Sequence, residues 1–200
     1  MAYIPIPTRT TEDPNSAADI NQLQDNIDYL NTKVAPPFTV DYTPYALHDP
    51  ETGAPEITTF DLAGSHVEVA WYANWETLYS QFIAPGNLDP DGNMTVIIEG
   101  LARVPASGSY VSFAINVNHS TPGEPFPAEY IEFDFGDVSV NAGGLPSGMF
   151  DEISLTIPIA STGVLSGDQV FFDLWRMPAS HDSLSGDYGV TGLRIMLDRG

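Results

Sequence analysis

The sequence predicts a mainly β protein: an antiparallel β-sandwich of jelly-roll type, preceded by an extended N-terminal arm and one short α-helix. Three observations carry this. From Phe38 onward, apolar residues alternate at period two in run after run, the signature of half-buried strands. Turn-forming clusters separate the runs: PGNLDPDGN, PASGS, STPGEPFP, NAGGLPSG, STGVLSGD and SLSGD. No long amphipathic helix lies between them, which excludes a parallel sheet, because parallel strands need crossover connections.

Taken in order, residues 1–15 read as an arm. Pro5 and Pro7 fix φ and push Ile4 and Ile6 to extended geometry. The segment has too few neighbours for a core of its own. It is either a disordered terminus or a strap that orders on a partner through Tyr3, Ile4 and Ile6.

Residues 16–35 read as a helix. Asp13-Pro14 supplies an N-cap and a first-turn proline, and Ser16 with Asp19 a box-like alternative. Lys33 suits the negative end of the helix dipole, and Pro36 and Pro37 stop the helix. Ile20, Leu23, Ile27, Leu30 and Val34 follow the steps of three and four of a coiled-coil seam, and so form a candidate oligomerisation stripe. The flanking positions, Gln24, Asn26, Asn31 and Lys33, offer no charge pairs to fix partner or orientation. The stripe covers about two heptads, marginal alone. The helix therefore does not choose between dimer and trimer, and packing of the stripe onto its own β domain is the alternative.

Residues 36–200 read as the sandwich. Strands are expected around Val40–Tyr45, His66–Tyr72, Tyr79–Ala84, Met94–Val104, Tyr110–Asn118, Tyr130–Phe135, Ile153–Ile159, Gln169–Met177 and Val190–Leu197. Pro158 argues that its strand lies at a sheet edge.

Composition agrees with one domain plus an appendage. The 200 residues are 42% hydrophobic and 11% aromatic, enough to bury a core. Cysteine is absent, which excludes disulfides and thiolate metal sites. The net charge of −21 is uneven: two basic against five acidic residues within 1–40, four against 22 beyond. So acidic a domain repels phosphate backbones, and no nucleic-acid partner is expected. No apolar run is long enough to span a bilayer. MAYIPIPTRT lacks the pattern of a signal peptide, so the mature chain is expected to begin near Met1.

Candidate sites are few, and no cofactor or metal is expected. Asp89, Asp91 and Asn93 in LDPDGN are spaced like the start of a calcium loop, but Gly and Glu are missing from the positions an EF-hand needs, so a hairpin turn is expected. Glu132 and Asp134 share a strand face, as a hydrolase pair would, on a chain rich in solvated acids. His48, His66, His119 and His181 make no metal motif, and no nucleophile elbow occurs. The chain is thus expected not to be an enzyme. Arg176, a scarce cation at a strand end, is expected to form a structural ion pair with Asp182 or Asp187. Trp71, Tyr72 and Trp75, with Tyr79 nearby, are a candidate glycan-stacking platform or, alternatively, aromatic cover for a strand face and sheet edge.

Residues 165–197 carry a resemblance. Gly167-Asp168, Val170 to Arg176, Asp182-Ser183-Leu184, Gly186-Asp187 and Leu193 to Leu197 resemble the closing strands of jelly-roll modules in tailed-bacteriophage virion proteins. RTTEDPNSAADINQLQDNIDYL is similar to the N-terminal region of phage fibre-like and head-decoration proteins, where an arm and helix precede the β module. The resemblance implies a non-enzymatic protein of the virion surface, often a homotrimer, partnered by the major capsid protein or another virion protein. Capsid decoration or a short head fibre is the leading expectation, and a tail-fibre tip recognising host surface glycan is the alternative.

Overall fold

The two faces of each strand run differ in polarity, and the chain satisfies them by winding two antiparallel sheets against each other. A computed structural model describes residues 22–27, 36–47, 53–62, 65–103, 109–125, 130–140, 150–177 and 182–200. Among these lie ten strands: β1 (Phe38–Tyr42), β2 (Glu56–Leu62), β3 (Ser65–Tyr72), β4 (Thr77–Ile83), β5 (Asn93–Ala102), β6 (Tyr110–Ser120), β7 (Ile131–Ser139), β8 (Asp151–Pro158), β9 (Gln169–Arg176) and β10 (Tyr188–Leu197). The first sheet has the order β2-β3-β10-β5-β8, with β1 also on β10, and the second the order β4-β9-β6-β7. From β3 to β6 successive strands alternate between sheets, β6 and β7 form a hairpin, and the alternation resumes to β10. This is jelly-roll winding.

β1 and β3 share one edge of β10. Phe38–Tyr42 pairs with Leu197–Leu193, and Ala70–Tyr72 pairs with Val190–Tyr188. A register shift between Val190 and Gly192 marks the handover, as a bulge does where a strand must bend between partners. β1 stops at Tyr42, short of the expected Tyr45, because Pro44 opens a 3-10 turn, Pro44–Ala46. Pro158 ends β8, an edge strand as its proline predicts. β2 was not expected. Its run EITTFDL alternates weakly, because two adjacent threonines blur the period.

Between the sheets lie Tyr72, Leu78, Ile98, Phe113, Phe172 and Tyr188, all essentially buried. The Phe113 ring meets Tyr72 and Tyr188 edge-on, at 5.5 and 5.7 Å between centroids. Burial of each such side chain is worth about 1.5–3 kcal/mol, and burial also pushes the Tyr188 phenol pKa up, with Asp151 beside it. A second, smaller cluster of Val69, Trp71 and Leu101 lies apart from this core. Trp71 and Leu101 both stand opposite Gly189 across the sheet, on the face away from Ala70 and Tyr72.

Residues 22–27 are helical within the expected helix. Leu23 and Ile27 are 49% and 41% exposed, whereas Asn26 is buried. Ile20, Leu30 and Val34, and the anchors Tyr3, Ile4 and Ile6, lie outside the described residues. The chain enters the sandwich where it finally closes: Arg199 Nε donates to the Pro36 carbonyl at 2.8 Å.

Gly189 tests the second cluster. A Cβ there would come within 2.7 Å of the Trp71 ring and also overlap Val69. Gly189→Ala is expected to destabilise the protein by about 1–3 kcal/mol in urea unfolding, the range typical of overpacking.

Candidate functional site

The end of the sandwich opposite Pro36 carries two adjoining features: a buried arginine clamp and, outside it, an aromatic and carboxylate face. Arg176 ends β9 on its inward-facing parity and is 1% exposed. Nε and Nη2 donate to Asp182 Oδ2 and Oδ1 at 2.7 and 2.8 Å. Nη1 donates to the carbonyls of Tyr72 and Gly186 at 2.8 and 2.7 Å, and Nη2 also to that of Leu184 at 3.0 Å. Every N–H of the guanidinium has an acceptor. Asp182 also accepts from the backbone N–H groups of Ser112 and Leu184.

Of the two carboxylates expected beside Arg176, only Asp182 is its partner. Asp187 pairs instead with Arg103, at 2.7 Å. The reason is local: Arg103 follows β5, and its N–H donates to the Asp187 carbonyl, so Asp187 stands at the mouth of β10 beside Arg103.

The candidate platform of Trp71, Tyr72 and Trp75 does not assemble, and for Trp71 and Tyr72 the alternative, aromatic cover within the sandwich, is what the structure shows. Trp71 is 4% exposed, lies under the Arg103 guanidinium at 5.2 Å and donates to Thr58 Oγ1 at 2.7 Å. Tyr72 is in the core. Trp71 packs in the second cluster and Tyr72 in the core, so neither ring presents a surface to a ligand. Trp75 is 64% exposed. It stacks on Trp175, centroids 5.5 Å apart and planes within 16°.

Trp75 is held at a cost. Glu76 N–H donates to the Ala73 carbonyl, closing a four-residue turn, and Trp75 sits at its third position with φ +70°. That is the place in a type II turn that glycine fills. Trp75 is the only non-glycine of positive φ among the described residues, and a bulky side chain there costs about 1–2 kcal/mol. The buried Nε1 of Trp175 has no hydrogen-bond partner, a second local cost.

Beyond this pair the outward face of the second sheet is ordered in rows by strand register. One row sets Thr77, Trp175, Ala114 and Asp134 side by side, and the next sets Tyr79, Asp173, Asn116 and Glu132. Asn116 Nδ2 donates to Asp173 Oδ1 at 2.8 Å. Burial raises the Asp173 pKa above its ordinary 3.8 despite this hydrogen bond, and Glu132 adds to the rise. Tyr79, Ser80, Gln81 and Phe171 line a depression of about 320 Å³ alongside, at the small end of ligand sites. Glu132 and Asp134, weighed as a hydrolase pair, are exposed on this open face.

Sequence reasoning missed Trp175, Asp173, Asn116 and Phe171. A signal existed: in QVFFDLWR the residues opposite in parity to Val170, Phe172 and Leu174 include Phe171 and Trp175, too aromatic for an ordinary solvated face.

The remaining candidates are structural. In LDPDGN, Asp89 Oδ1 and Asp198 Oδ2 accept the N–H groups of Asp91 and Asn93, as turn residues do. His66 pairs with Asp61 on the surface, and His119 Nδ1 lies 2.8 Å from the buried Asp168. His48 and His181 lie outside the described residues. Among the described residues no group of three or more His, Cys, Asp or Glu is placed to hold a metal ion.

No family model matches the sequence, and no curated protein does. Solved structures show similarity of architecture. A family 35 carbohydrate-binding module from Clostridium thermocellum is 14% identical, with a TM-score of 0.39 over 79% of this chain and 97% of that one. The CBM35 from Cellvibrio japonicus Abf62 is 9% identical, with a TM-score of 0.44 over 79% and 92%. The tailspike protein 4 enzymatically active domain of bacteriophage CBA120 is 10% identical, with a TM-score of 0.37 over 83% of this chain and 20% of that one. Against latent PorU from Porphyromonas gingivalis the chain spans 13% of the longer protein's length, at 14% identity and a TM-score of 0.39 over 82% of this chain. At such identities and scores a likeness assigns no function.

Two predictions follow from the geometry. Asp182→Ala leaves the Arg176 charge buried and unpaired and is expected to cost about 3–5 kcal/mol by urea unfolding, with Arg176→Met recovering part of it in the double variant. Asp173→Asn concerns pH. The folded state holds the Asp173 proton more tightly than the unfolded chain, so ionisation of Asp173 disfavours folding as pH rises from 3.8 through its raised pKa. The variant is therefore expected to melt higher than the parent at pH 7, and that gain is expected to vanish in acid, where both side chains are neutral. A gain of equal size at both pH values would refute this.

Proposed function

We propose that the chain is a non-enzymatic structural protein of a tailed-bacteriophage virion, a homotrimeric capsid decoration protein or short head fibre displayed on the virion surface. The observation that carries this reading is the polarity of the sandwich. Residues 1–35 join it at Pro36, beside Arg199 at the closing end of β10. The arginine clamp and Trp75 lie at the other end, separated by the eight residues of β9, about 26 Å of strand. Such a module can be held by one end and present the other to solvent.

The helical stretch supports the assembly. Leu23 and Ile27 leave an apolar stripe open in the single chain. A helix this short gains most of its stability from packing. In the trimer the stripes face one another and the arms, through Tyr3, Ile4 and Ile6, dock on the major capsid protein or another virion protein. Area buried across the boundary between neighbouring shell subunits then resists expansion of the shell. The exposed setting of Glu132 and Asp134 supports a non-enzymatic role, since neither carboxylate is sheltered to act as an acid. No described helix is long and apolar enough to cross a membrane.

Removal of residues 1–35 provides the test. The remaining sandwich is expected to fold, to be monomeric by light scattering and to lose binding to virus particles, whereas the full chain scatters as a trimer and binds. Undiminished particle binding by the truncated chain would overturn the anchoring role. Copy number, by quantitative mass spectrometry of particles, separates capsid decoration, with many copies, from a tail tip, with few.

A further inference from the structure

We infer that the outward face of the β4-β9-β6-β7 sheet, at the end away from Pro36, binds a neutral saccharide, with Trp75 and Tyr79 as stacking surfaces and Asp173, Asn116 and Glu132 as hydrogen-bonding partners. This goes beyond the virion role and holds equally for a capsid or a tail position.

Trp75 points to a ligand because the fold gains little from it there. It stands where a turn favours glycine, its side chain is mostly exposed, and the ring it stacks on, Trp175, is left with a buried unpartnered Nε1. Local strain concentrated on an exposed aromatic marks a binding position more readily than a structural one. One face of the indole is backed by Trp175 and held parallel to it, which leaves a flat apolar surface for the C–H face of a pyranose ring.

The polar partners are fixed by strands rather than loops. Tyr79, Asp173, Asn116 and Glu132 are consecutive across four strands, and the Asn116 to Asp173 hydrogen bond holds the central pair in place. Sites on strands hold geometry better than sites on loops. Carboxylates accept hydrogen bonds and the Asn116 amide can also donate one, so the set suits hydroxyl groups. Charge narrows the class further. Asp173, Glu132 and Asp134 lie on this face of a chain with net charge −21, so sialylated, phosphorylated and uronic acid ligands are repelled. A depression beside Tyr79, lined also by Gln81 and Phe171, extends the surface beyond one ring.

Two of the three tryptophans of the chain are the stacked pair, so ligand binding should change intrinsic fluorescence. The full chain is titrated with maltohexaose, cellohexaose, laminarihexaose, mannohexaose and N-acetylchitohexaose, and with sialyllactose and oligogalacturonate as anionic probes, each to about 10 mM, which reaches weak affinities. At least one neutral probe is expected to give a saturable change, and the anionic probes none. Trp75→Gly is expected to keep its Tm within about 4 °C of the parent, because relief of the turn offsets the lost stack, and to weaken binding at least tenfold. Tyr79→Ser serves as the second variant should Trp75→Gly fail to fold, with the same loss expected. Absence of binding to every neutral probe, preference for an anionic one, or unchanged affinity in the folded variant would overturn the inference. Particle binding by the arm is read in a separate assay, so failure here leaves the virion reading standing.

Discussion

A guanidinium buried in the interior of an acidic sandwich is tolerable only if none of its donors is wasted, and Arg176 wastes none. Through it, the end of β3 at Tyr72, the end of β9 and the segment from Asp182 to Gly186 become one unit. Asp182 extends the clamp to β6 through the Ser112 N–H, and the Tyr110 carbonyl accepts from both Ser183 and Leu184. Three stretches of chain distant in sequence, around Tyr72, around Ser112 and within residues 176–186, thus meet on a single charge pair. The alternative, an apolar plug of equal volume, would also stabilise the fold. It would not supply the five directional bonds that fix where the loop leaves the sheet.

The other cations beyond residue 40 are used in the same way. Arg103 reaches Asp187 and lies over Trp71, Arg194 binds Asp41 beside Glu99, and Arg199 holds Pro36. Each joins elements remote in sequence. The exposed pairs are individually weak, but their placement matters: among the described residues, positive charge is concentrated at strand joints and is absent from the outward face of the second sheet. Acidity of the surface and integrity of the ends are therefore two results of one allocation of charge.

The period-two runs made most strands legible, because a sheet with one buried face imprints alternation directly on sequence. β2 escaped because Thr58 and Thr59 fit either face, although its β-branched and aromatic content was a usable signal. The clamp was half legible: the scarcity of arginine singled out Arg176, but choosing Asp182 over Asp187 required knowing that Arg103 stands beside β10. The platform was least legible. In WYANW the eye groups aromatics by proximity in sequence, yet Trp71 and Tyr72 belong to an interior strand of one sheet, whereas Trp75 starts the approach to the other. Its true neighbour, Trp175, is distant in sequence and meets it only because β4 and β9 pair with Thr77 opposite that residue.

The same pairing explains why the clamp and the outer face belong together. Trp75 N–H donates to the Arg176 carbonyl and Arg176 N–H to the Glu76 carbonyl, so the turn that bears Trp75 hangs on the residue that locks the end of the sandwich. A turn with a tryptophan in a left-handed conformation would relax if its flanks were free. Here the turn is bound to both backbone groups of Arg176, and the next residue after the turn, Thr77, is held by the Gly53 carbonyl. The interior clamp does not touch a ligand, but it keeps an exposed ring in a conformation that the turn alone would not choose.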